Sequence, residues 1–581
     1  MAIFTFDPSH YLGTVRAVDT RRVAVCVESD EDLRKARVGQ LVALQLPGPV
    51  DEWLIGIIAK VVKSTAPEEL ESGPEGEASP EEIQDTVAYP SERVVNTVTA
   101  TLVGAVTKNA RQESSFTRSL VQVPEINARC HVLRDKQLEQ FMGLLQAARD
   151  TAHSLALGTY AIDPSATAYL DGNKLFQRHA ALVGSTGAGK SWTVASLLER
   201  AAELPSANLV VFDLHGEYRD LSYAKHLRIP GPEDLGRADE SVLFLPYWLL
   251  NSAEMESLFI ERSEFTAHNQ VLVFHESVSA EKRRTLEAEG RSDVLNAFTV
   301  DSPIPFDLSR VVGQIRKLNE EMIQGSRGMK QGTFHGQFSR LLARVEARAK
   351  DKRYGFLFQA PAEEHRYDAM ASLVERLMGY AGDNEKIKVI DFSEVPAEVL
   401  PIIVGLVARL TYQVQFWTPA EARNPLAFVC DEAHLYIARK EGGNPAELRA
   451  IENFEKIGKA GRKYGVSLFI VTQRPSDVSP TVLSQCNNVL SLRLTNETDR
   501  GSVRRLLPES LESLLDALPL LDIGEALVVG DSVLLPSRIR ITPPREKPLS
   551  ATVDFWDDWQ KAPSPPDFAK SVENMRRQSR K

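Results

Sequence analysis

One run of residues constrains this chain more than any other. Gly184-Ser185-Thr186-Gly187-Ala188-Gly189-Lys190-Ser191 fits the phosphate-loop pattern G-x-x-x-x-G-K-[ST], and it stands between an apolar run, Ala180 to Val183, and a helix-forming stretch. The glycines let the backbone curl so that successive N–H groups converge on phosphate oxygens, and the helix N-terminus adds a favourable dipole. Lys190 is expected to reach the β- and γ-phosphates and Ser191 to hold Mg²⁺ through its hydroxyl, with Trp192 flanking the cradle. A strand, this loop and a helix make one unit of a parallel α/β sheet.

The other strands of that sheet read as short apolar runs: Leu209 to Phe212, Val389 to Phe392, Leu426 to Cys430, Ser467 to Val471 and Val489 to Leu494. Helical patterns separate several of them, which predicts a mainly parallel sheet covered on both faces. Two of these runs end in polar residues suited to nucleotide chemistry. Leu426 to Cys430 runs into Asp431-Glu432, where Asp431 can bind the metal and Glu432 can polarise the water that attacks the γ-phosphate. Val466 to Val471 runs into Thr472-Gln473-Arg474-Pro475, where Gln473 can orient that water or report loss of the γ-phosphate. An acid directly after the metal-binding acid points to ATP hydrolysis rather than to a binding-only switch.

Upstream, short β-branched runs (Gly13 to Val18, Arg22 to Val27, Gln40 to Leu46, Trp53 to Val62, Val94 to Val106) predict a small β-barrel or sandwich over residues 1–132. Between Pro67 and Asp85 the chain carries eight acidic residues and no basic one, which fits a solvated loop or an acidic docking element. A helical connection is expected at Asp135 to Ala156. The α/β core then occupies 133–251 and 353–542, interrupted by a polar, helix-forming insertion over 252–352. A last strand pair, Ala526 to Val529 and Ser532 to Leu535, is expected around Gly530-Asp531. The remainder, 543–581, reads as an arm that packs irregularly or stays loose.

The 581 residues carry 68 Lys and Arg against 79 Asp and Glu, a formal net charge of -11, so the chain is no cationic coat for nucleic acid. A local basic feature is nonetheless present: Arg340, Arg344 and Arg348 recur at helical spacing, forming either a phosphate-contacting stripe or a solvated face. The four cysteines form no C-x-x-C pair, which excludes the usual zinc and disulfide frameworks. Val399 to Leu410, the most apolar stretch, is interrupted by Arg409. With no signal-like N-terminus, a cytoplasmic protein without a membrane span is expected.

Taken together, Arg178-His179, the P-loop, Phe212-Asp213-Leu214-His215-Gly216-Glu217-Tyr218, Asp431-Glu432-Ala433-His434, Gly461-Arg462-Lys463-Tyr464-Gly465, and Thr472-Gln473-Arg474-Pro475-Ser476 followed by Leu483-Ser484-Gln485-Cys486-Asn487 resemble the HerA family of P-loop ATPases, relatives of FtsK. The resemblance implies a RecA-like core, a HerA-type N-terminal barrel, a helical insertion and a C-terminal arm. It implies ATP and Mg²⁺ as cofactors and a homohexamer with double-stranded DNA in its pore. A separate nuclease or sirtuin-like, NAD-consuming effector is the implied partner, in DNA end processing or antiphage defence, with an ATP-regulated scaffold for such an effector as the alternative. It also makes Arg462, or else Arg178, a candidate for an arginine acting in a neighbouring subunit's site, the alternative being a surface salt bridge for each. Asp213, His215 and Glu217 become candidate site residues of unassigned chemistry.

Overall fold

The computed structural model describes residues 3–46, 52–67, 92–108, 114–120, 122–148, 151–236, 239–326, 328–379, 385–439, 445–550, 555–561 and 568–577. The acidic segment expected to be a solvated loop or docking element falls, beyond Pro67, outside them. The chain divides into two compact units, one of Met1–Lys174 with Val489–Thr542 and the other of Leu175–Asn488 with Pro543–Lys581.

The first unit opens with strands β1 (Tyr11–Asp19), β2 (Arg22–Val27), β3 (Leu41–Gln45), β4 (Trp53–Pro67), β5 (Glu92–Lys108), β6 (Ser114–Thr117), β7 (Arg129–Val132), β8 (Ser154–Tyr160) and β9 (Asp163–Asp171). The order β2-β1-β7-β3-β4-β5, closed by a β5–β2 pairing, makes a six-stranded barrel to which β6 adds at β5. Alternation fills it: Val23, Val25 and Val27 of β2 and Val98, Ala100 and Leu102 of β5 all point into one buried core. The expected barrel strands are therefore present. The connection expected to be helical to Ala156 is helical only to Ala147, and β8 and β9 then pair as an antiparallel hairpin. Ser154-Leu155-Ala156-Leu157 alternates with period two, so strand pairing wins once a partner strand is beside it.

The second unit supplies β10 (Ala180–Val183), β11 (Leu209–Asp213), β12 (Lys225–Arg228), β13 (Met322–Gly325), β14 (Gly328–Gln331), β15 (Ile387–Asp391), β16 (Leu426–Cys430) and β17 (Val466–Thr472). Six of them form a parallel sheet in the order β12-β15-β11-β16-β17-β10. Every residue of β10, β11, β16 and β17 is buried, as continuous apolar runs require when helices cover both faces. Between β12 and β15 lie the helices Ser252–Phe259, Ala267–Ala288, Leu308–Glu320 and Ser339–Lys350, together with an exposed hairpin of β13 and β14 that the helical reading of the insertion did not anticipate.

Arg409, the charge that interrupts the most apolar stretch, lies inside the buried helix Leu400–Trp417. Its Nε and Nη2 donate to Glu254 Oε1 and Oε2 at 2.8 and 2.7 Å, and Nη2 also donates to the Leu249 carbonyl at 2.8 Å. Glu254 in turn closes a capping box with Asn251 at the start of Ser252–Phe259. This pair ties the first insertion helix to the core, and removal of either partner would strand a buried charge at a cost of about 3–5 kcal/mol.

Strand β18 (Asn488–Ser491) spans the change of unit, and β19 (Glu525–Gly530) and β20 (Ser537–Ile541) follow. β19 and β20 pair antiparallel, and β20 continues onto β8. The second strand expected at Ser532 to Leu535 is instead a loop: the Ser532 carbonyl accepts the Asp171 amide, and the following Pro536 has no N–H for a ladder. Among the described residues no helix is long and apolar enough to cross a membrane.

Candidate nucleotide site

The parallel register brings the sequence motifs to one edge of the sheet. Val183 stands beside Thr472, and Cys430 beside Ile470 and Phe212, so the residues that follow β10, β17, β16 and β11 emerge together at the carboxyl ends of the strands. That edge, beyond the strand ends, is where open α/β sheets bind ligands.

The P-loop leaves β10 with the Gly184 amide donating to the Thr472 carbonyl at 3.3 Å, and a turn follows in which the Ala188 amide donates to the Ser185 carbonyl at 3.1 Å. Gly187 and Gly189 have φ of 74° and 103°, and Gly189 is the N-cap of helix Lys190–Ala202. Only glycine takes those conformations without strain, so the motif's spacing follows from backbone geometry. Lys190 is buried at the mouth of the loop. Thr186 Oγ1 donates to Gln473 Oε1 at 2.5 Å, which sets the amide of Gln473 against the phosphate cradle.

β16 lies two strands from β10, roughly 10 Å away, which leaves room for a metal and its water between Ser191 and Asp431. Asp431 is buried: its Oδ1 accepts the Glu432 amide at 2.9 Å and its Oδ2 the Tyr218 hydroxyl at 3.1 Å. Burial, with the carboxylates of Glu432, Glu217 and Asp213 nearby, pushes Asp431 up to about 8. Glu432 holds the left-handed conformation at φ 44°, a costly one for a residue with a side chain, and such strain clusters at functional sites. Its Oε2 is buried without a hydrogen-bond partner, although His434 Nδ1 approaches to 3.2 Å; Glu217 Oε2 is also without one. Burial holds His434 below its ordinary range, so the neutral ring bridges towards Thr472 Oγ1, also 3.2 Å away, rather than neutralising Glu432.

Excess negative charge and two orphaned carboxylate oxygens beside a single buried lysine fit a site completed by a divalent cation and a nucleotide. Ser191 and Asp431 could hold Mg²⁺. Among the described residues no group of three or more His, Cys, Asp or Glu side chains is placed to hold a metal ion by itself.

Other candidates fare differently. Asp213 is turned inward: Oδ1 accepts the amides of His215, Gly216 and Glu217 at 3.2, 2.8 and 3.1 Å, and Oδ2 that of Tyr218 at 3.0 Å. It shapes the loop that carries Glu217 and Tyr218, while His215 is exposed. Tyr218 and His434 join the site through contacts that the sequence pattern does not announce: those to Asp431 and Thr472 cross between distant segments and leave no local signal.

Arg178 and Arg462 lie at the opposite edge. They precede β10 and β17, separated from the P-loop by roughly 15–20 Å of extended chain. Buried His179 joins the two segments, its Nε2 3.0 Å from the Gly458 carbonyl and its Nδ1 accepting the Leu468 amide at 2.9 Å. Arg462 is exposed. Both stand at the end of the sheet away from this chain's P-loop.

The basic stripe dissolves into internal contacts. Arg344 donates to the Phe259 carbonyl through Nε and to Glu264 through Nη1, both at 2.7 Å, and Arg348 stacks 5.1 Å from the Tyr354 ring centroid. Arg340 alone of the three extends into solvent, with a side chain 79% exposed. Helical spacing correctly aligned these residues but aimed two of them into the fold.

Two family profiles match the chain: one described as the central domain of helicase HerA, over residues 155–411, and one described as HerA-like C-terminal, over residues 419–547. The DNA double-strand break repair helicase HerA of Pyrococcus furiosus is 26% identical over 403 residues, covering 67% of this chain and 69% of that protein. Its namesake in Saccharolobus solfataricus is 25% identical over 400 residues, covering 68% and 70%. Among solved structures, VirB4 of Thermoanaerobacter pseudethanolicus matches at 19% identity over 68% of this chain and 98% of that one, with a TM-score of 0.43.

Proposed function

On the premise that this chain belongs to the HerA family of P-loop ATPases, we propose that it hydrolyses Mg²⁺-bound ATP to move double-stranded DNA through a homohexameric ring. The observation that carries this reading is the convergence of the P-loop, Asp431-Glu432 and Gln473 at one sheet edge while Arg178 and Arg462 face away at the other. A site built in two halves on opposite edges of one subunit is completed by a neighbour, which is the logic of a ring.

In this mechanism the P-loop amides and Lys190 bind the phosphates, and Ser191 and Asp431 orient the metal. Mg²⁺ held there would supply positive charge against the phosphates. Glu432 accepts the proton of the attacking water at its unpartnered Oε2, and Gln473 positions that water. An arginine from the adjoining subunit, Arg462 first and Arg178 second, stabilises charge on the γ-phosphate.

The partner is a separate effector enzyme, a nuclease or an NAD-consuming protein acting in DNA end processing or antiphage defence. Support comes from the C-terminal helices Phe555–Gln560 and Phe568–Arg577, which bury no residue and expose Phe555, Trp556, Trp559, Phe568 and Met575. Exposed aromatic surface of that kind marks an interaction site. A second reading follows from the same helices: a ring that assembles and activates its effector, with DNA movement secondary.

ATP turnover measured with duplexes of increasing length tests the motor. Turnover should rise with duplex length and saturate. Turnover indifferent to DNA, with effector activation retained in a Glu432→Gln ring, would overturn the motor in favour of the scaffold.

A further inference from the structure

The segment Pro543–Ser550, ahead of the terminal helices, lies along the helix that follows the P-loop. Pro544 and Pro548 are buried, which fixes the path without leaving an amide donor unmet. Arg545 Nε pairs with Glu199 Oε1 at 3.1 Å, and its amide donates to Glu199 Oε2 at 2.8 Å. The Ser222 amide donates to Glu546 Oε2 at 2.6 Å, and the Leu549 amide to the Glu217 carbonyl at 2.7 Å. Between these anchors Lys547 Nζ sits 5.7 Å from the centroid of the Trp192 ring. Trp192, next to Ser191, is 37% exposed.

This arrangement is unusual for surface packing. A tryptophan in the first turn of a helix is held by a cation on a strap with three further attachments, yet over a third of it stays open. A P-loop wraps the β-phosphate and delivers the rest of the nucleotide towards the first turn of its helix. The ribose and base therefore leave the cradle on the side where Trp192 stands. Every base has a π face, and an indole offers it a stacking partner whose position the ammonium of Lys547 fixes.

Resting on the reading of the P-loop as an ATP site, we propose that Trp192 is the platform on which the nucleobase stacks, and that Lys547, carried by the Pro543–Ser550 strap, is the positioning residue that holds the indole for it. Through Leu549 the same strap holds the loop bearing Glu217, so the base end and the acid end of the site share one covalent support.

Equilibrium binding of Mg²⁺-ATP and of Mg²⁺-tripolyphosphate to the full chain separates base from phosphate recognition. Trp192→Ala should weaken ATP by about ten-fold while tripolyphosphate stays within about two-fold of wild type, the loss expected for one stacked base. Trp192→Phe should recover most of the ATP affinity. Lys547→Ala should show a smaller loss confined to ATP, and Lys547→Arg should restore it. Equal loss of both ligands in Trp192→Ala would mean the ring supports the fold or a subunit contact, and would overturn the proposal, as would unchanged ATP binding or a Trp192→Phe variant as weak as Trp192→Ala. Failure of the underlying P-loop reading looks different: Lys190→Ala would then bind both ligands as tightly as wild type.

Discussion

Thr186 Oγ1 donates a 2.5 Å hydrogen bond to Gln473 Oε1, latching the crest of the P-loop to the end of β17. The acceptor oxygen is occupied, so the Gln473 amide nitrogen remains to meet a water or a phosphate oxygen. Gln473→Ala is expected to bind ATP nearly as wild type and to lose turnover by at least about ten-fold, since positioned polar groups act mainly on the transition state. Thr186→Ala should lose less, because it frees the amide without removing it. Single-turnover hydrolysis beside equilibrium ATP binding checks both; a Gln473→Ala variant with normal turnover would leave the latch without a catalytic role.

Glu432 pairs a strained backbone with an unpartnered oxygen. Glu432→Gln preserves shape and should retain ATP binding while slowing hydrolysis by about 10²–10⁴-fold, the usual contribution of a general base. Lys190→Ala should instead lose ATP binding. The αL backbone adds a separate expectation: Glu432→Val, a β-branched residue poorly suited to positive φ, should lower Tm where Glu432→Gln does not. Nucleotide-binding titration and thermal melts of the three variants test this pattern, and equal melting of the Gln and Val variants would count against backbone strain at this position.

How much of this was readable beforehand depends on how local each signal is. The P-loop, Asp431-Glu432 and Gln473 each follow an apolar run within a few residues, so motif and strand stand next to each other in the chain. The β8–β9 hairpin and β20 were missed because their strands gain identity from partners: β20 completes itself on β8, far away in sequence. The Arg340, Arg344 and Arg348 periodicity gave the correct helix but not the direction of its face, which Glu264 and Tyr354 decide. Tyr218 and Lys547 meet Asp431 and Trp192 only after the chain has folded, and nothing beside either residue announces the contact.

Tyr218 is fully buried and donates to Asp431 Oδ2. Tyr218→Phe removes the donor and keeps the ring, leaving a buried carboxyl group short of one partner. With Asp431 pushed up to about 8 and so mostly protonated near neutral pH without nucleotide, the expected cost is about 0.5–1.5 kcal/mol of stability, the range for a hydrogen bond between neutral groups. Mg²⁺ and ATP give Asp431 a new partner, so their addition should narrow the Tm gap between variant and wild type. Melts with and without Mg²⁺-ATP test this; a gap that stays constant would mean that Asp431 does not face the metal.

Exposed Arg462 is tethered through His179 to the Arg178 segment, at the edge away from its own P-loop. Rings mixed from Arg462→Ala and Glu432→Gln subunits should therefore recover ATPase activity that neither variant shows alone, because some boundaries combine an intact acid with an intact arginine. His179→Ala should weaken that recovery by loosening the tether. If mixing restores nothing, Arg462 does not act across the boundary, and the same experiment with Arg178→Ala decides the remaining candidate.

Lys388 lies buried within β15, its Nζ donating to Asn208 Oδ1 and, at 3.0 Å, to the Gly379 carbonyl. Burial pushes it down to about 7 from an ordinary value of 10.5. Between those two values the unfolded chain holds a proton that the folded chain has released, so unfolding takes up protons and stability rises with pH. Below about 7 both states are protonated and this contribution is flat at its minimum. Across the window the slope from this one group is at most about 1.4 kcal/mol per pH unit. Lys388→Met removes the titrating group, so the Tm difference between variant and wild type should be greatest near pH 7 and shrink as pH rises towards 10. Melts of both proteins at matched ionic strength test the sign, and a difference that stays constant across the window would show that Lys388 remains charged in the folded sheet, held by its two oxygen acceptors.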